Sequence, residues 1–188
     1  IKTALGQSEP ISKSGSDDDA IKVNIVIGKF QPFNNGHLKM IKKANQNNGL
    51  PVAVFVVKPG PHSFIDDQTM DKMMGIVSND LSGIIDSIHY IDDDLLSTVV
   101  HTLGKKYDPK TLTVGKKRLD NYLLQTRSLK KRKKLDPAFQ IQTSPEWINS
   151  EDVSRTIQEK NYMEFKKNVP KSLSGLWEEL TRCYDSSK

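Results

Sequence analysis

Short apolar runs alternate along the chain with longer segments in which apolar residues recur at the spacing of a helix. The runs are rich in Val and Ile and show little polar alternation, which is typical of strands buried on both faces of a parallel sheet. They predict five strands, at residues 23–27, 52–57, 84–91, 112–115 and 139–143. Helical spacing predicts helices between them. One begins at Gly36, one runs from Asp66 to Val77, and one runs from Leu95 to Lys106, where Asp108-Pro109 breaks it.

This order of elements predicts the fold class. Strands and helices that alternate with short connections favour an α/β protein, a doubly wound, Rossmann-like five-stranded parallel sheet with a C-terminal helical extension. The last predicted helix spans residues 172–182, and it carries Leu173, Leu176, Trp177 and Leu180 on one face. That face either docks on the core of the domain or contacts a partner.

Composition divides the chain into an arm and one domain. Residues 1–21 are rich in Ser, Gly, Asp and Pro, so we expect a flexible N-terminal arm followed by a single domain at 22–188. Whether a protein partner holds residues 1–20 or the arm packs on its own domain is left open. The one cysteine, Cys183, excludes an internal disulfide and favours a reducing compartment. We expect a cytoplasmic protein with no membrane partner, since no apolar run has the length of a span and no signal peptide is visible.

Positive charge is concentrated in one segment. The net charge is +5, which suits either a polyanionic partner or an enzyme that handles nucleotide phosphates. Residues 127–134 hold six Lys or Arg side chains in eight positions. They are compatible with a nucleic-acid patch or a nuclear address, but no aromatic residue is interleaved for base stacking. A solvated basic surface is therefore the favoured interpretation, and nucleic acid remains the weaker one.

The first strand leads into the most informative stretch of the sequence. Gly28 ends the strand, Pro32 and two Asn residues form a loop, and Gly36-His37 begins a helix. A strand, a glycine loop and a helix N-terminus together form an anion site, because free N–H groups and the helix dipole both favour phosphate. The residues themselves thus predict a nucleotide-phosphate site at this loop.

The same loop carries a family resemblance. Residues 28–38, GKFQPFNNGHL, resemble the GRFQPFHxGHL signature of the nucleotidyltransferase superfamily. The likeness is greatest to archaeal-type nicotinamide mononucleotide adenylyltransferases and to cytidylyltransferase-like proteins of tailed phages. It implies transfer of a nucleotidyl group from ATP or CTP to a phosphorylated acceptor, with Mg²⁺ and with release of pyrophosphate. A phage-encoded protein would be located in the host cytoplasm or in the virion.

The resemblance also implies roles for individual residues in this loop. His37 matches the second histidine of the signature and would stabilise charge at the α-phosphate. Asn34 stands in the place of the first histidine, where it can donate a neutral hydrogen bond but carries no charge. The phosphate loop would be shaped by Gly28, Lys29, Phe30 and Gly36. Lys58, at the end of the second strand, either meets phosphate or is a solvated loop lysine.

Two later segments resemble further family motifs. Residues 114–122, VGKKRLDNY, resemble VGSDRVxEY, so Gly115 and Arg118 would contact the nucleotide, while Lys116 and Lys117 replace a Ser-Asp pair. Residues 148–155 resemble I-S-x-T-x-x-R, the motif in which Ser, Thr and Arg hold the β- and γ-phosphates.

In this second motif Ser150 and Arg155 are the implied nucleotide contacts. Aligned without a gap from the tail at residues 161–170, however, the Arg position holds Ser154. Arg155 then lies one residue late, about 100° around the helix. Glu151 occupies the Thr position, where a carboxylate would repel a triphosphate.

Two functions from different classes follow. The first is an active nucleotidyltransferase. The second is a catalytically degenerate family member that serves as a structural or assembly component, for example of a phage particle, because the departures fall where phosphate or base would bind. No metal-ligating residues are predicted, since Asp92, Asp93 and Asp94 are better explained as a solvated helix cap. If the site is correct, His37, Lys58, Gly115 and Ser150 should cluster at the carboxyl ends of the strands.

Overall fold

A parallel five-stranded sheet forms the centre of the protein. The computed structural model describes residues 19–145 and 148–188, so the expectations for the N-terminal arm fall mainly outside the described residues. The strands are β1 (Ile21–Gly28), β2 (Val52–Val57), β3 (Ile85–Ile91), β4 (Tyr107–Gly115) and β5 (Gln140–Ser144). Their order is β3-β2-β1-β4-β5, and every neighbouring pair is parallel. The predicted five-stranded parallel sheet is therefore confirmed.

Helices cover both faces of this sheet. They are α1 (Asn35–Asn48), α2 (Asp67–Asp80), α3 (Leu96–Leu103), α4 (Leu119–Lys131), α5 (Ser150–Gln158), α6 (Tyr162–Asn168) and α7 (Trp177–Ser186). Apolar side chains of α1, α2, α5, α6 and α7 form one core with Val26 of β1. Side chains of α3 and α4 form the other core with Ile25 and Ile27, because successive strand residues point to opposite faces.

The C-terminal extension docks on the domain's own core. A 3₁₀ turn (Lys171–Leu176) precedes α7, so the predicted single helix at 172–182 is two elements. Leu173, Leu176 and Leu180 are all buried in the core that contains α1 and α2. This is the core-docking alternative that the sequence left open.

The prediction that Asp108-Pro109 breaks a helix is wrong. The helix α3 ends earlier, at Leu103, and Gly104 follows it with a φ of 58°. Pro109 lies inside β4 and pairs with Val23, next to a bulge that shifts the register between Val23 and Asn24. The pairing of β4 with β5 begins only at Thr111, so Pro109 has a strand on one side alone. Proline is tolerated there because no second neighbour requires its missing N–H.

One buried polar residue ties β1 to its neighbours. Asn24 is fully buried, and its Nδ2 donates to the Ala44 carbonyl at 2.8 Å and to Asn48 Oδ1 at 2.6 Å. Its Oδ1 accepts from Thr111 Oγ1 at 2.6 Å. The side chain is thus satisfied on both its atoms, and it fixes α1 and β4 relative to β1.

None of the helices in the described part of the chain is long and apolar enough to cross a lipid bilayer.

Candidate functional site

A cavity of about 550 Å³ lies at the carboxyl ends of β1, β4 and β5. The strand order reverses between β1 and β4, and ligands of open α/β sheets bind in the crevice beside such a switch point. The N-termini of α1 and α5 both reach this cavity. The residues that line it in the described part of the chain are Ile27, Gly28, Lys29, Phe30, Gln31, Asn34, Gly36, His37, Met40, Gly115, Lys117, Arg118, Ser144, Pro145, Ile148, Asn149, Ser150, Glu151 and Ser154.

The floor of the cavity depends on the packing of Phe30 against the end of β1. Phe30 has a left-handed φ of 53°, and its side chain is buried. A Cβ atom on Gly28 would lie 2.7 Å from two carbon atoms of the Phe30 ring, so only glycine fits under that ring. The ring in turn meets His37 edge-on, with the centroids 4.8 Å apart. Gly28 is therefore required by close packing that supports His37.

His37 presents an uncharged hydrogen-bond donor. Its Nδ1 accepts from the backbone N–H of Asn34 at 3.1 Å, which assigns the ring proton to Nε2. Burial beside Phe30 and Phe33 lowers the pKa of His37 to about 4. At neutral pH the imidazole is consequently neutral, and it lines the cavity as an N–H donor rather than as a cation.

Asn34 is the N-cap of α1 and is buried. Its Oδ1 accepts from the backbone N–H groups of Gly36 at 2.9 Å and of His37 at 3.2 Å. The expectation that the amides of this helix start are free for phosphate is thus wrong for these two groups. The Asn34 Nδ2 is directed to Ser150 Oγ at 3.4 Å, which brings the starts of α1 and α5 together.

Cationic side chains lie on the β1 and β4 side of the cavity. Lys29 and Lys117 are exposed and line it. Arg118 also lines it, but its guanidinium is ion-paired with Asp94 and lies 5.5 Å from the centre of the Tyr122 ring. The cationic wall is therefore partly neutralised by a carboxylate of the protein itself.

The opposite wall is the first turn of α5. The Asn149 side chain caps this helix by accepting from the Glu151 N–H at 3.0 Å. Ser150, Glu151 and Ser154 line the cavity. Arg155 is absent from the lining and forms an exposed ion pair with Asp152 at 3.3 Å.

The predicted site residues divide accordingly. All of them except Lys58 and Arg155 line the cavity. Lys58 is half-exposed and pairs with Asp92 at 3.3 Å. Sequence reasoning missed Ser144, Pro145 and Asn149. Ser144 could have been found, because it ends the fifth strand and the carboxyl ends of parallel strands meet at one edge.

The described residues that line the cavity provide few ligands for a metal ion. No group of three or more His, Cys, Asp or Glu side chains that could hold one occurs within residues 19–145 and 148–188. Glu151 is the sole carboxylate among the described residues that line the cavity. A Mg²⁺ ion fits here only if nucleotide phosphates supply most of its ligands, as they do in many phosphoryl-transfer sites.

The basic segment 127–134 lies away from this cavity. The helix α4 begins beside Arg118 and carries the chain away from the carboxyl ends of the strands. Its last turn and the residues after it are mostly exposed, and Lys130 donates to the Phe139 carbonyl at 2.7 Å. Nucleic-acid binding by this segment remains a prediction.

Comparison with solved structures identifies proteins that have a similar fold. No family model matches the sequence, and no curated protein matches it. The nicotinic acid mononucleotide adenylyltransferase of Plasmodium falciparum, complexed with APC, superposes with a TM-score of 0.60 at 15% identity over 84% of this chain and 95% of that one. The same enzyme complexed with NaAD gives the same values. Thermotoga maritima TmcAL bound with alpha-thio ATP superposes with a TM-score of 0.56 at 13% identity, over 88% of this chain and 56% of that one. The chain therefore shares the fold of these solved structures.

Proposed function

We propose that the cavity binds a nucleotide through its phosphate. The observation that carries this proposal is the convergence of three uncharged donors, the Nε2 of His37, the Nδ2 of Asn34 and the hydroxyl of Ser150, at the starts of two helices. Helix N-termini favour anions. The volume lies within the range of small-molecule and cofactor pockets.

The reaction class that this fold supports is nucleotidyl transfer. In that reaction ATP or CTP gives its nucleotidyl group to a phosphorylated acceptor and releases pyrophosphate. His37 would donate its Nε2–H to the α-phosphate as charge develops there, and Lys29 and Lys117 would add positive potential. A Mg²⁺ ion bound by the phosphates would supply charge neutralisation, and Glu151 is the carboxylate that the described lining residues could offer it.

A second candidate is nucleotide binding without catalysis, in a structural or assembly component. Three placements favour it. Asn34 is engaged as a helix cap, Glu151 faces the cavity with a negative charge, and Arg155 is paired outside it. Each makes the wall that a triphosphate would meet less attractive to it.

Calorimetric titration with ATP and CTP, with Mg²⁺ at moderate salt, tests the proposed function. We expect micromolar binding to at least one nucleotide, lost in His37→Ala and kept in His101→Ala, since His101 is exposed on α3 and does not line the cavity. Pyrophosphate release with nicotinic acid mononucleotide or another phosphorylated acceptor then separates the two candidates. A folded protein that gives no heat with any nucleotide would contradict both.

A further inference from the structure

The charges around the cavity are nearly balanced. The described residues that line it include three cations, Lys29, Lys117 and Arg118, and one carboxylate, Glu151. Arg118 is already paired with Asp94. What remains is at most about one net positive charge facing a ligand, a small excess for a site that would hold a polyanion.

The donors at the starts of α1 and α5 are uncharged as well. Asn34 and Ser150 are neutral side chains, and His37 is neutral at physiological pH because burial lowers its pKa to about 4. Such donors hold the oxygens of one phosphate through hydrogen bonds. They gain little from additional negative charge on the ligand, whereas a cationic cluster would gain much.

Glu151 is a carboxylate beside Ser150, one of the proposed phosphate donors. It follows Ser150 directly on the first turn of α5, and both residues line the cavity. It is exposed, and its carboxylate forms no ion pair with a cation of the described residues. A phosphate held at Ser150 therefore has a negative charge beside it, and each further phosphate group increases the repulsion.

We propose that the cavity selects a singly phosphorylated nucleotide over the corresponding triphosphate, and that Glu151 is the residue that determines this preference. The inference rests on the proposed function and narrows its ligand class. A phosphate monoester carries about two negative charges at neutral pH, so it leaves less charge unbalanced by the walls than a triphosphate does. The preference also favours the non-catalytic candidate, because a transferase must bind the triphosphate well.

The test is calorimetric titration of the full chain with the pairs AMP and ATP, and CMP and CTP, without divalent metal and at moderate salt. We expect the wild-type protein to bind a monophosphate more tightly than its triphosphate. Glu151→Gln should raise triphosphate affinity about tenfold and monophosphate affinity less, because the repulsion grows with ligand charge. Asp152→Asn is the matched control, since it makes the same change of charge one residue along the helix at a side chain outside the cavity lining.

Each other outcome overturns the inference in a recognisable way. Tighter binding of ATP or CTP by the wild-type protein refutes the preference but leaves the proposed function intact. An equal gain of triphosphate affinity in Asp152→Asn shows that Glu151 does not determine the preference. In a parallel titration with Mg²⁺, weaker triphosphate binding by Glu151→Gln than by the wild-type protein shows that Glu151 binds the metal instead. No heat with any of the four nucleotides, from folded protein, refutes the inference and the proposed function together.

Discussion

Replacing Gly28 with alanine adds one methyl group where β1 enters the cavity, and it tests the packing that supports His37. The new Cβ would lie 2.7 Å from Cε1 and Cζ of Phe30. The Phe30 ring has little room to move away, because it is buried and contacts both Phe33 and His37. Inserting a methyl group into a well-packed core typically costs about 1–3 kcal/mol. Alanine also restricts the backbone of the unfolded chain more than glycine does, which stabilises the folded state by about 0.4–1 kcal/mol. We therefore expect a net destabilisation of about 1–2 kcal/mol.

Urea unfolding followed by circular dichroism measures this change, and Gly75→Ala is its matched control. Gly75 is exposed in the interior of α2, and a Cβ there would meet nothing within 4 Å. Because alanine is a better helix former than glycine, that substitution should stabilise the protein by up to about 1 kcal/mol. The same chemical change should thus have opposite signs at the two positions. A Gly28→Ala protein whose unfolding midpoint lies at the same urea concentration as that of the wild-type protein would refute the packing argument.

Three further perturbations test the site and the sheet. The His37 pKa of about 4 means that the folded state resists protonation, so stability should fall as pH drops from about 6.5 towards 4. The loss should reach about 1–2 kcal/mol by pH 5 in urea unfolding, and His37→Gln should remove that part of the slope. Asn34→Ala should cost about 1 kcal/mol of thermal stability through the lost cap, whereas Asn34→Asp should keep the cap and weaken AMP binding in calorimetry. Asn24→Leu should destabilise by about 2–4 kcal/mol in urea, because it leaves the buried Ala44 carbonyl and Thr111 hydroxyl without their partner.

The parts of this fold that could be predicted are those fixed by local sequence. The strand at 23–27, the glycine that ends it and the helix that begins near Gly36 each follow from residue type and spacing over a few positions. The alternation of such units then allows few arrangements of the sheet. The similarity to solved structures supports this predicted arrangement of the sheet.

The features that sequence reasoning missed depend on contacts distant in sequence. Pro109 fits a strand only because β5 has not yet begun to pair beside it. The residue type of Asn34 predicts a hydrogen-bond donor to phosphate, but it does not show that the side-chain Oδ1 also caps the helix start. Lys58 sits at the end of a strand as predicted and still faces Asp92, since β2 ends one strand away from the switch point.

The position of Arg155 shows how one residue of offset affects a site. A single step in a helix turns a side chain by about 100°. Ser154 accordingly lines the cavity, and Arg155 pairs with Asp152 outside it. The segment 148–155, which resembles the second motif, thus contributes no arginine to the lining of the cavity.

Backbone NMR of the ¹⁵N-labelled protein during titration with AMP and ATP tests the central claim, that this cavity is the nucleotide site, most directly. Gly28, Gly36 and Gly115 line the cavity, and glycine amides fall in a separate region of the spectrum. Gly49 and Gly83 lie outside the lining and serve as internal references. We predict saturable shifts of the three cavity glycines with the two references unchanged. Nucleotide binding that leaves those three amides unmoved, or that shifts the references instead, would contradict the account.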